Sequence, residues 1–107
     1  MKLLCSATVL AALLTPQAFA ESTVAGNPVA GKKVFVANCA TCHTLKAAGA
    51  KGVVASNLDK KRPTYAAVVA VVTKGRTTKG VMPAYNGILT TKQIQDVAAF
   101  VYSSTHA

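Results

Sequence analysis

The chain has 107 residues, a length that permits one small domain and excludes a multidomain architecture. Its 12 lysines and arginines against 3 acidic residues give a formal net charge of +9, which favours acidic partners over basic ones. Basic and aromatic residues are not interleaved and no nucleic-acid recognition motif occurs, so the composition argues against a nucleic-acid-binding protein.

Residues 1–20 have the pattern of a secretory signal peptide. Lys2 precedes an apolar run over residues 3–14, and an A-x-A cleavage site ends at Ala20. A membrane anchor is the alternative interpretation, but the run is well short of the ~20 residues that a spanning helix needs. We therefore expect cleavage after Ala20, export, and no integral membrane segment in residues 21–107.

This cleavage decides the cysteine content of the mature chain. Cys5 lies at the start of the apolar run rather than after it, where a lipid-modified cysteine would stand, so it leaves with the signal peptide. Residues 21–107 then form one domain whose cysteines are Cys39 and Cys42, with a net charge of +8 after the loss of Lys2. A chain of this size buries little apolar surface by itself, and a bound cofactor would relieve that difficulty.

The first predicted helix spans Val29–Asn38 and follows a flexible lead-in. Val34 and Phe35 can face a core, and Gly31 leaves room for a neighbouring helix to approach closely. We expect the helix to end where the next motif begins.

The pentapeptide at 39–43, CATCH, is the most informative stretch of the chain. Two cysteines at this spacing can each form a thioether to a haem vinyl group, which leaves the adjacent His43 to bind the iron. Thioredoxin-like redox sites, zinc sites and structural disulfides also use CxxC. A redox site would need a surrounding βαβ pattern and a zinc site further ligands, yet His43 and His106 are the only histidines. The motif therefore predicts one haem c attached through Cys39 and Cys42, with His43 as an iron ligand.

A second helix is predicted from Pro63, which suits a first helical position, to a stop at Gly75. Residues 66–72 are apolar nearly all round and rich in valine, which would also suit a strand. The flanking proline and glycine favour a buried helix.

The last predicted helix begins with a capping box formed by Thr90 and Gln93 and runs to about Ser103. Its apolar residues recur at one-face spacing: Ile94, Val97, Ala98 and Val101. We expect Phe100 to cross the first helix near Gly31, where a glycine permits close approach.

In their order and separation these motifs resemble those of a class I c-type cytochrome, the small soluble monohaem kind of bacterial periplasms and thylakoid lumens. The resemblance covers nearly the whole mature chain. Besides the CATCH motif it rests on Gly31, Phe35, Asn38, Asn57-Leu58, Met82-Pro83-Ala84-Tyr85 and residues 94–101. It implies an all-α fold, a cytochrome c-like bundle of short helices around one covalently attached haem, and a location in the periplasm or thylakoid lumen.

The family also implies that a methionine thioether binds the iron opposite the histidine, and this role falls on Met82, the only methionine in residues 21–107. His106 is the competing imidazole, but its place beside the C terminus predicts a frayed, solvated side chain. With both axial positions filled by His43 and Met82, the iron has no open site for a substrate. The resemblance thus implies an electron carrier and no enzyme.

Such a carrier would be a soluble monomer that moves one electron from a reductase to an oxidase, photosystem or dehydrogenase partner. A dedicated acceptor for a single dehydrogenase would have the same sequence features. The alternative is a haem-based sensor or peroxidase with an open or labile sixth iron position. The sequence offers no distal histidine or arginine that could activate peroxide in this alternative, because Arg62 and Arg76 are both expected at the surface.

One position departs from the family pattern, in which a proline commonly precedes the Asn57-Leu58 pair and its carbonyl accepts a hydrogen bond from the proximal histidine. This chain has Ser56 there. Ser56 keeps the backbone carbonyl but lacks the conformational constraint of a proline ring. The rigidity of His43 and its strength as an iron ligand are therefore left open. Asn57 itself is expected to stabilise a turn or to donate to groups near the haem.

Basic residues flank both predicted iron ligands. Lys46 and Lys51 follow the haem motif, while Lys74, Arg76 and Lys79 precede Met82. Family geometry would place both groups around the exposed haem edge, as a positive docking ring for acidic redox proteins or membrane electron-transfer complexes. The run at 60–62 is expected to be ordinary surface just before a helix.

Overall fold

The computed structural model describes residues 24–106; the predicted signal peptide, its cleavage after Ala20, and Cys5 lie outside these residues. The elements in chain order are α1 (Pro28–Asn38), β1 (Thr44–Leu45), a 3₁₀ turn (Lys46–Ala48), β2 (Ala50–Lys51), α2 (Leu58–Lys61), α3 (Tyr65–Lys74) and α4 (Thr91–Thr105). The helices confirm the predicted all-α bundle, to which the structure adds one small antiparallel sheet. Between residues 24 and 106, no helix combines the length and apolar character needed to cross a membrane.

Helix α1 begins one residue earlier than the sequence predicts. Pro28 takes the first helical position, and the Asn27 side chain caps the helix by accepting hydrogen bonds from the backbone N–H groups of Val29 and Ala30. The helix ends at Asn38 and Cys39 is its C-cap, so the haem motif follows the helix directly, as expected.

A short hairpin that the sequence pattern does not predict follows that motif. Strands β1 and β2 pair antiparallel, and each has two residues, which is too short to show an alternating hydrophobic pattern. The Thr44 hydroxyl donates to the Gly52 carbonyl at 2.7 Å, and Gly49 supplies the left-handed backbone (φ 63°) that ends the 3₁₀ turn. The hairpin brings the chain back toward the end of α1.

Helix α2 was also missed, and it decides between the two expected roles of Asn57. The Asn57 side chain caps it by accepting from the Lys60 N–H at 3.3 Å, so the turn-stabilising role of Asn57 is the one observed. The run at 60–62 precedes α3, as expected, but Lys60 and Lys61 lie within α2. Arg62, with φ 48°, donates from Nε to the Thr105 carbonyl at 2.7 Å and so ties α2 to the end of α4.

Helix α3 begins two residues later than predicted, because Thr64 rather than Pro63 sets its start. The Thr64 hydroxyl accepts a hydrogen bond from the Ala67 N–H at 3.1 Å. Its end at Gly75 is confirmed, and the strand alternative is wrong. The helix is not buried all round, since Val68 and Val72 are its buried residues.

Helix α4 confirms the predicted capping box, with Thr90 and Gln93 each bonding the other's backbone. It runs two residues past Ser103. The expected crossing with α1 is present: a Cβ at Gly31 would overlap the Asp96 carbonyl, and the Phe35 and Phe100 rings meet edge-on at 5.8 Å.

The hydrophobic core lies where α1 and α3 pack against α4. Its buried residues are Phe35, Cys39, Leu45, Ala50, Leu58, Val68, Val72, Leu89, Ile94, Val97, Ala98, Phe100 and Val101. The three most completely buried large side chains are Phe35, Leu45 and Val97. Several residues of this core, among them Val68 and Val72 of α3, also line a cleft that opens beside it.

Candidate haem cleft

The structure brings the four predicted site residues together. Cys39, Cys42, His43 and Met82 all line one cleft of about 510 Å³. This volume lies within the range of roughly 300–1,000 Å³ that is usual for small-molecule and cofactor sites. Residues 39–43 and Met82, which lie far apart in the sequence, therefore meet at a single site.

The walls of this cleft are mainly apolar. They include Phe35, Leu58, Ala67, Val68, Val71, Val72, Val97 and Val101. Four of these residues lie on α3, and of these Ala67 is exposed and Val71 half-buried. The cleft therefore accounts for apolar residues of α3 that the rest of the protein leaves partly uncovered. Three cationic side chains, Lys61, Arg76 and Lys79, also line the cleft. A flat apolar macrocycle with two carboxylates fits such walls, so the residues present suit haem.

The CATCH motif forms one tight turn at the end of α1. The N–H groups of Cys42 and His43 both donate to the Cys39 carbonyl, at 3.2 and 3.0 Å. Cys39 is buried in the wall, whereas Cys42 is exposed at the edge. The two sulfurs therefore reach the same cleft from different depths.

The alternative uses of CxxC are not supported by this geometry. Burial, together with the nearby Cys42, raises the pKa of the Cys39 thiol to about 11. A thioredoxin-like site needs a cysteine with a lowered pKa. Cys39 and Cys42 form no disulfide in the structure, and residues 24–106 hold no cluster of three His, Cys, Asp or Glu side chains that could bind zinc.

His43 is oriented through its ring nitrogen Nδ1, which donates to the Ser56 carbonyl at 2.8 Å. A carbonyl can only accept, so the proton is on Nδ1 and the lone pair is on Nε2, available for a metal. The contact expected at Ser56 is thus present without a proline. The Ala55 N–H donates to the Cys42 carbonyl at 2.8 Å and anchors this loop to the motif.

Met82 lies half-buried in the segment that follows α3. Its backbone exchanges two hydrogen bonds of 2.9 Å with Arg76, which closes the loop at 77–81. Its side chain packs against the core cluster. Met82 therefore reaches the cleft from a different element than His43 does.

Tyr85 is a site residue that sequence reasoning named only as part of a family motif. Its hydroxyl donates to the Asn38 carbonyl at 3.3 Å, which joins the segment after Met82 to the last residue of α1. Both residues line the cleft. Burial raises the pKa of Tyr85, with Cys39 as the second cause, so its hydroxyl stays protonated.

One further prediction is corrected by the structure, and another is refined. His106 is not frayed: its ring stacks on Tyr102 with centroids 4.2 Å apart, its Nδ1 donates to the Tyr102 carbonyl at 3.1 Å, and it does not line the cleft. Arg76, expected both at the surface and in the basic ring, is exposed and lines the cleft. Of the expected basic ring, Arg76 and Lys79 line the cleft, and Lys46, Lys51 and Lys74 do not.

Comparison with known proteins gives the family. Residues 26–101 match the family model described as "Cytochrome C oxidase, cbb3-type, subunit III". Cytochrome c6 of Nostoc sp. is 36% identical over 115 residues, covering 100% of this chain and 97% of that protein. The crystal structure of the c-type cytochrome SorU from Sinorhizobium meliloti superposes with a TM-score of 0.66 at 38% identity, covering 73% of this chain and 90% of SorU. Cytochrome c6 from the diatom Phaeodactylum tricornutum superposes with a TM-score of 0.60 at 34% identity, covering 75% and 95%.

The chain belongs to the class I c-type cytochromes. Membership confirms the predicted cofactor, a covalently attached haem c with its iron, and the presence of the two cysteines that such attachment needs. It also confirms that the cytochrome is an electron carrier rather than an enzyme.

Proposed function

We propose that this cytochrome is an exported, monomeric one-electron carrier whose haem iron is bound by His43 and Met82. The observation that carries the proposal is that the CATCH motif and Met82 line the same cleft from two separate elements. The bound haem supplies an iron that alternates between the ferrous and ferric states. Export to a periplasm or thylakoid lumen is supported by the signal-peptide pattern of residues 1–20.

Each residue has a distinct part in this proposal. Cys39 and Cys42 hold the macrocycle through thioethers, and the hydrogen bond from His43 to Ser56 keeps the imidazole in one tautomer and orientation. The Met82 thioether would be the second protein ligand of the iron and would raise the reduction potential relative to a second imidazole. With His43 and Met82 both bound to it, the iron would have no site left for a substrate.

The sensor or peroxidase alternative gains little from the structure. Peroxide activation needs a group that can transfer protons beside an open metal position. The cleft is lined by one histidine, His43, whose Nδ1 is already engaged by Ser56. Arg76 lines the cleft but is exposed, and its backbone is paired with Met82.

Electrons would leave through the opening of the cleft, where apolar and basic residues meet. Val54 and Val81 line the cleft and are 82% and 83% exposed. Lys61, Arg76 and Lys79 line it as well. We call these five residues the mouth surface. An apolar centre beside positive charge suits short-lived docking of an acidic redox protein or of an acidic face on a membrane electron-transfer complex.

The first test is the optical and near-infrared spectrum of the haem-loaded protein, with Met82→Ala as the variant. We expect low-spin haem in both redox states and a near-infrared iron–thioether band in the oxidised protein. In Met82→Ala the band should vanish, the potential should fall, and the reduced protein should bind carbon monoxide. High-spin haem in the unmodified protein would favour the sensor or peroxidase alternative. A band that survives the substitution would show that a residue other than Met82 binds the iron.

A further inference from the structure

Gly75 ends α3 and adjoins the methionine segment, which we define as Met82–Tyr85. Its backbone has φ 73° and ψ −171°, a conformation open essentially to glycine alone. The methionine segment returns across this point after the loop at 77–81. A glycine is therefore required here by the backbone, independently of what surrounds it.

The surroundings also exclude a side chain. A Cβ at position 75 would lie 2.6 Å from the Met82 carbonyl oxygen, 2.8 Å from the Ala84 nitrogen and 3.0 Å from the Pro83 carbonyl carbon. All three atoms belong to the backbone, so they cannot rotate away as the end of a flexible side chain would. Any residue but glycine would have to push the methionine segment off the end of α3.

Three backbone hydrogen bonds hold the segment in this position. Arg76 and Met82 exchange two bonds of 2.9 Å, and the Tyr85 N–H donates to the Val72 carbonyl at 2.8 Å. We call these three bonds the backbone clamp. The groups that hold the segment belong to Val72 and Arg76, which lie on either side of Gly75. The same contact that brings the backbone of the methionine segment close to Gly75 therefore also fixes the position of Met82.

We propose that Gly75 is a positioning residue for the iron ligand Met82, an inference that rests on the proposed His43/Met82 ligation. The absence of a side chain at 75 lets the methionine backbone lie directly against α3, and this sets how far the thioether reaches into the cleft. Ligand groups must be held within about 0.5 Å of their working position, so a Cβ that displaces the segment would detach the sulfur.

The test compares Gly75→Ala with two matched controls in the full haem-loaded protein. Gly49 (φ 63°) and Gly80 (φ 101°) also have positive φ, yet a Cβ at either meets nothing within 4 Å. Gly49→Ala and Gly80→Ala thus add backbone strain without a clash. Gly80 lies within the loop at 77–81, and Gly49 lies outside it. We expect Gly75→Ala to lose most of the iron–thioether band and to bind carbon monoxide when reduced, while both controls keep the band.

Amide hydrogen exchange gives a readout that does not involve the metal. In Gly75→Ala the amides of Met82 and Tyr85 should exchange about tenfold faster or more, which corresponds to about 1.4 kcal/mol in local opening. In the unmodified protein these two amides should exchange as slowly as those within α3. Rapid exchange there would contradict the clamp even if Gly75→Ala cannot be obtained in folded form.

The outcomes separate this inference from the ligation on which it rests. An unmodified protein without the iron–thioether band overturns the ligation, and the role of Gly75 with it. If the unmodified protein has the band and Gly75→Ala keeps it, only the positioning role is overturned. A loss of the band in Gly80→Ala equal to that in Gly75→Ala would assign the effect to strain in the loop and would likewise overturn it.

Discussion

At the scale of single residues, Asp96 shows how a buried charge connects distant parts of the chain. It is 3% exposed, and its carboxylate accepts a hydrogen bond from the Asn27 N–H at 2.7 Å and pairs with Lys92 Nζ at 2.8 Å. The hydrogen bond from Lys92 and that from Asn27 hold the pKa of Asp96 below its usual range, against the opposing effect of burial. The start of α1 is thereby fastened to α4.

This lowered pKa predicts a loss of stability in acid. Because the ionised form is favoured in the folded state, the stabilisation is present above the unfolded pKa of ~3.9 and is lost as the pH falls through the lower folded value. Asp96→Asn should lower the free energy of unfolding by about 1–3 kcal/mol near pH 6. The difference from the unmodified protein should shrink below pH ~4.

Denaturant unfolding of the haem-loaded protein at several pH values measures this effect. Asp59→Asn is the control, since it removes the same charge from a half-exposed position. It should change the acid dependence less than Asp96→Asn does. Parallel stability curves for Asp96→Asn and the unmodified protein would contradict the argument.

At the scale of elements, the crossing of α1 and α4 is the main packing contact that supports the cleft. Gly31 allows the two helices to meet, and Phe35 and Phe100 fill the space beside it. Phe35 also lines the cleft, and Cys39 follows at the end of the same helix. The position of the haem motif therefore depends on how closely α1 approaches α4.

Gly31→Ala tests this crossing. Alanine favours an isolated helix by about 1 kcal/mol, but its Cβ would overlap the Asp96 carbonyl and force the helices apart. Overpacking costs ~1–3 kcal/mol or more, so we expect a net fall in the melting temperature of the haem-loaded protein. The control is Gly87→Ala, where a Cβ meets nothing within 4 Å, and which should leave the melting temperature unchanged. Equal melting temperatures for the two variants would show that α1 and α4 adjust without cost.

At the scale of the whole molecule, charge and exposed apolar surface coincide at the mouth surface. The chain has a net charge of +9, or +8 without Lys2, and three of its cations line the cleft beside Val54 and Val81. Long-range attraction by a whole basic surface raises encounter rates with anions, but it does not show which face is used. That question needs variants that remove equal charge from different faces.

Electron transfer to hexacyanoferrate(III), an anionic oxidant, makes that comparison. The double variant Arg76→Gln/Lys79→Gln should slow the second-order rate at low ionic strength by roughly threefold to tenfold, and the difference should disappear in high salt. Lys32→Gln/Lys33→Gln removes the same charge from α1, where Lys32 lines a separate groove beside Phe100, and should slow the rate less. Equal slowing by the two pairs would mean that net charge alone steers the oxidant.

What could be predicted from the sequence was encoded within a few neighbouring residues. The CATCH motif predicts haem attachment because a single turn places Cys39, Cys42 and His43 together. The capping box of Thr90 and Gln93 predicts the start of α4 because its two residues lie three positions apart. Such local features need no knowledge of the remaining fold. The predicted end of α3 at Gly75 belongs to the same kind.

The features that escaped prediction depend on pairs far apart in the chain. The burial of Asp96 requires Asn27, and the hydroxyl of Tyr85 requires the carbonyl of Asn38, 69 and 47 residues away. Too few residues form the hairpin, α2 and the backbone clamp for any of them to show a recognisable hydrophobic pattern. These features are stabilised instead by contacts with neighbouring elements. The capacity to attach haem covalently is thus a local property of the sequence. Only the packing of the helices determines the depth of the cleft, the basic residues at its mouth and the position of Met82.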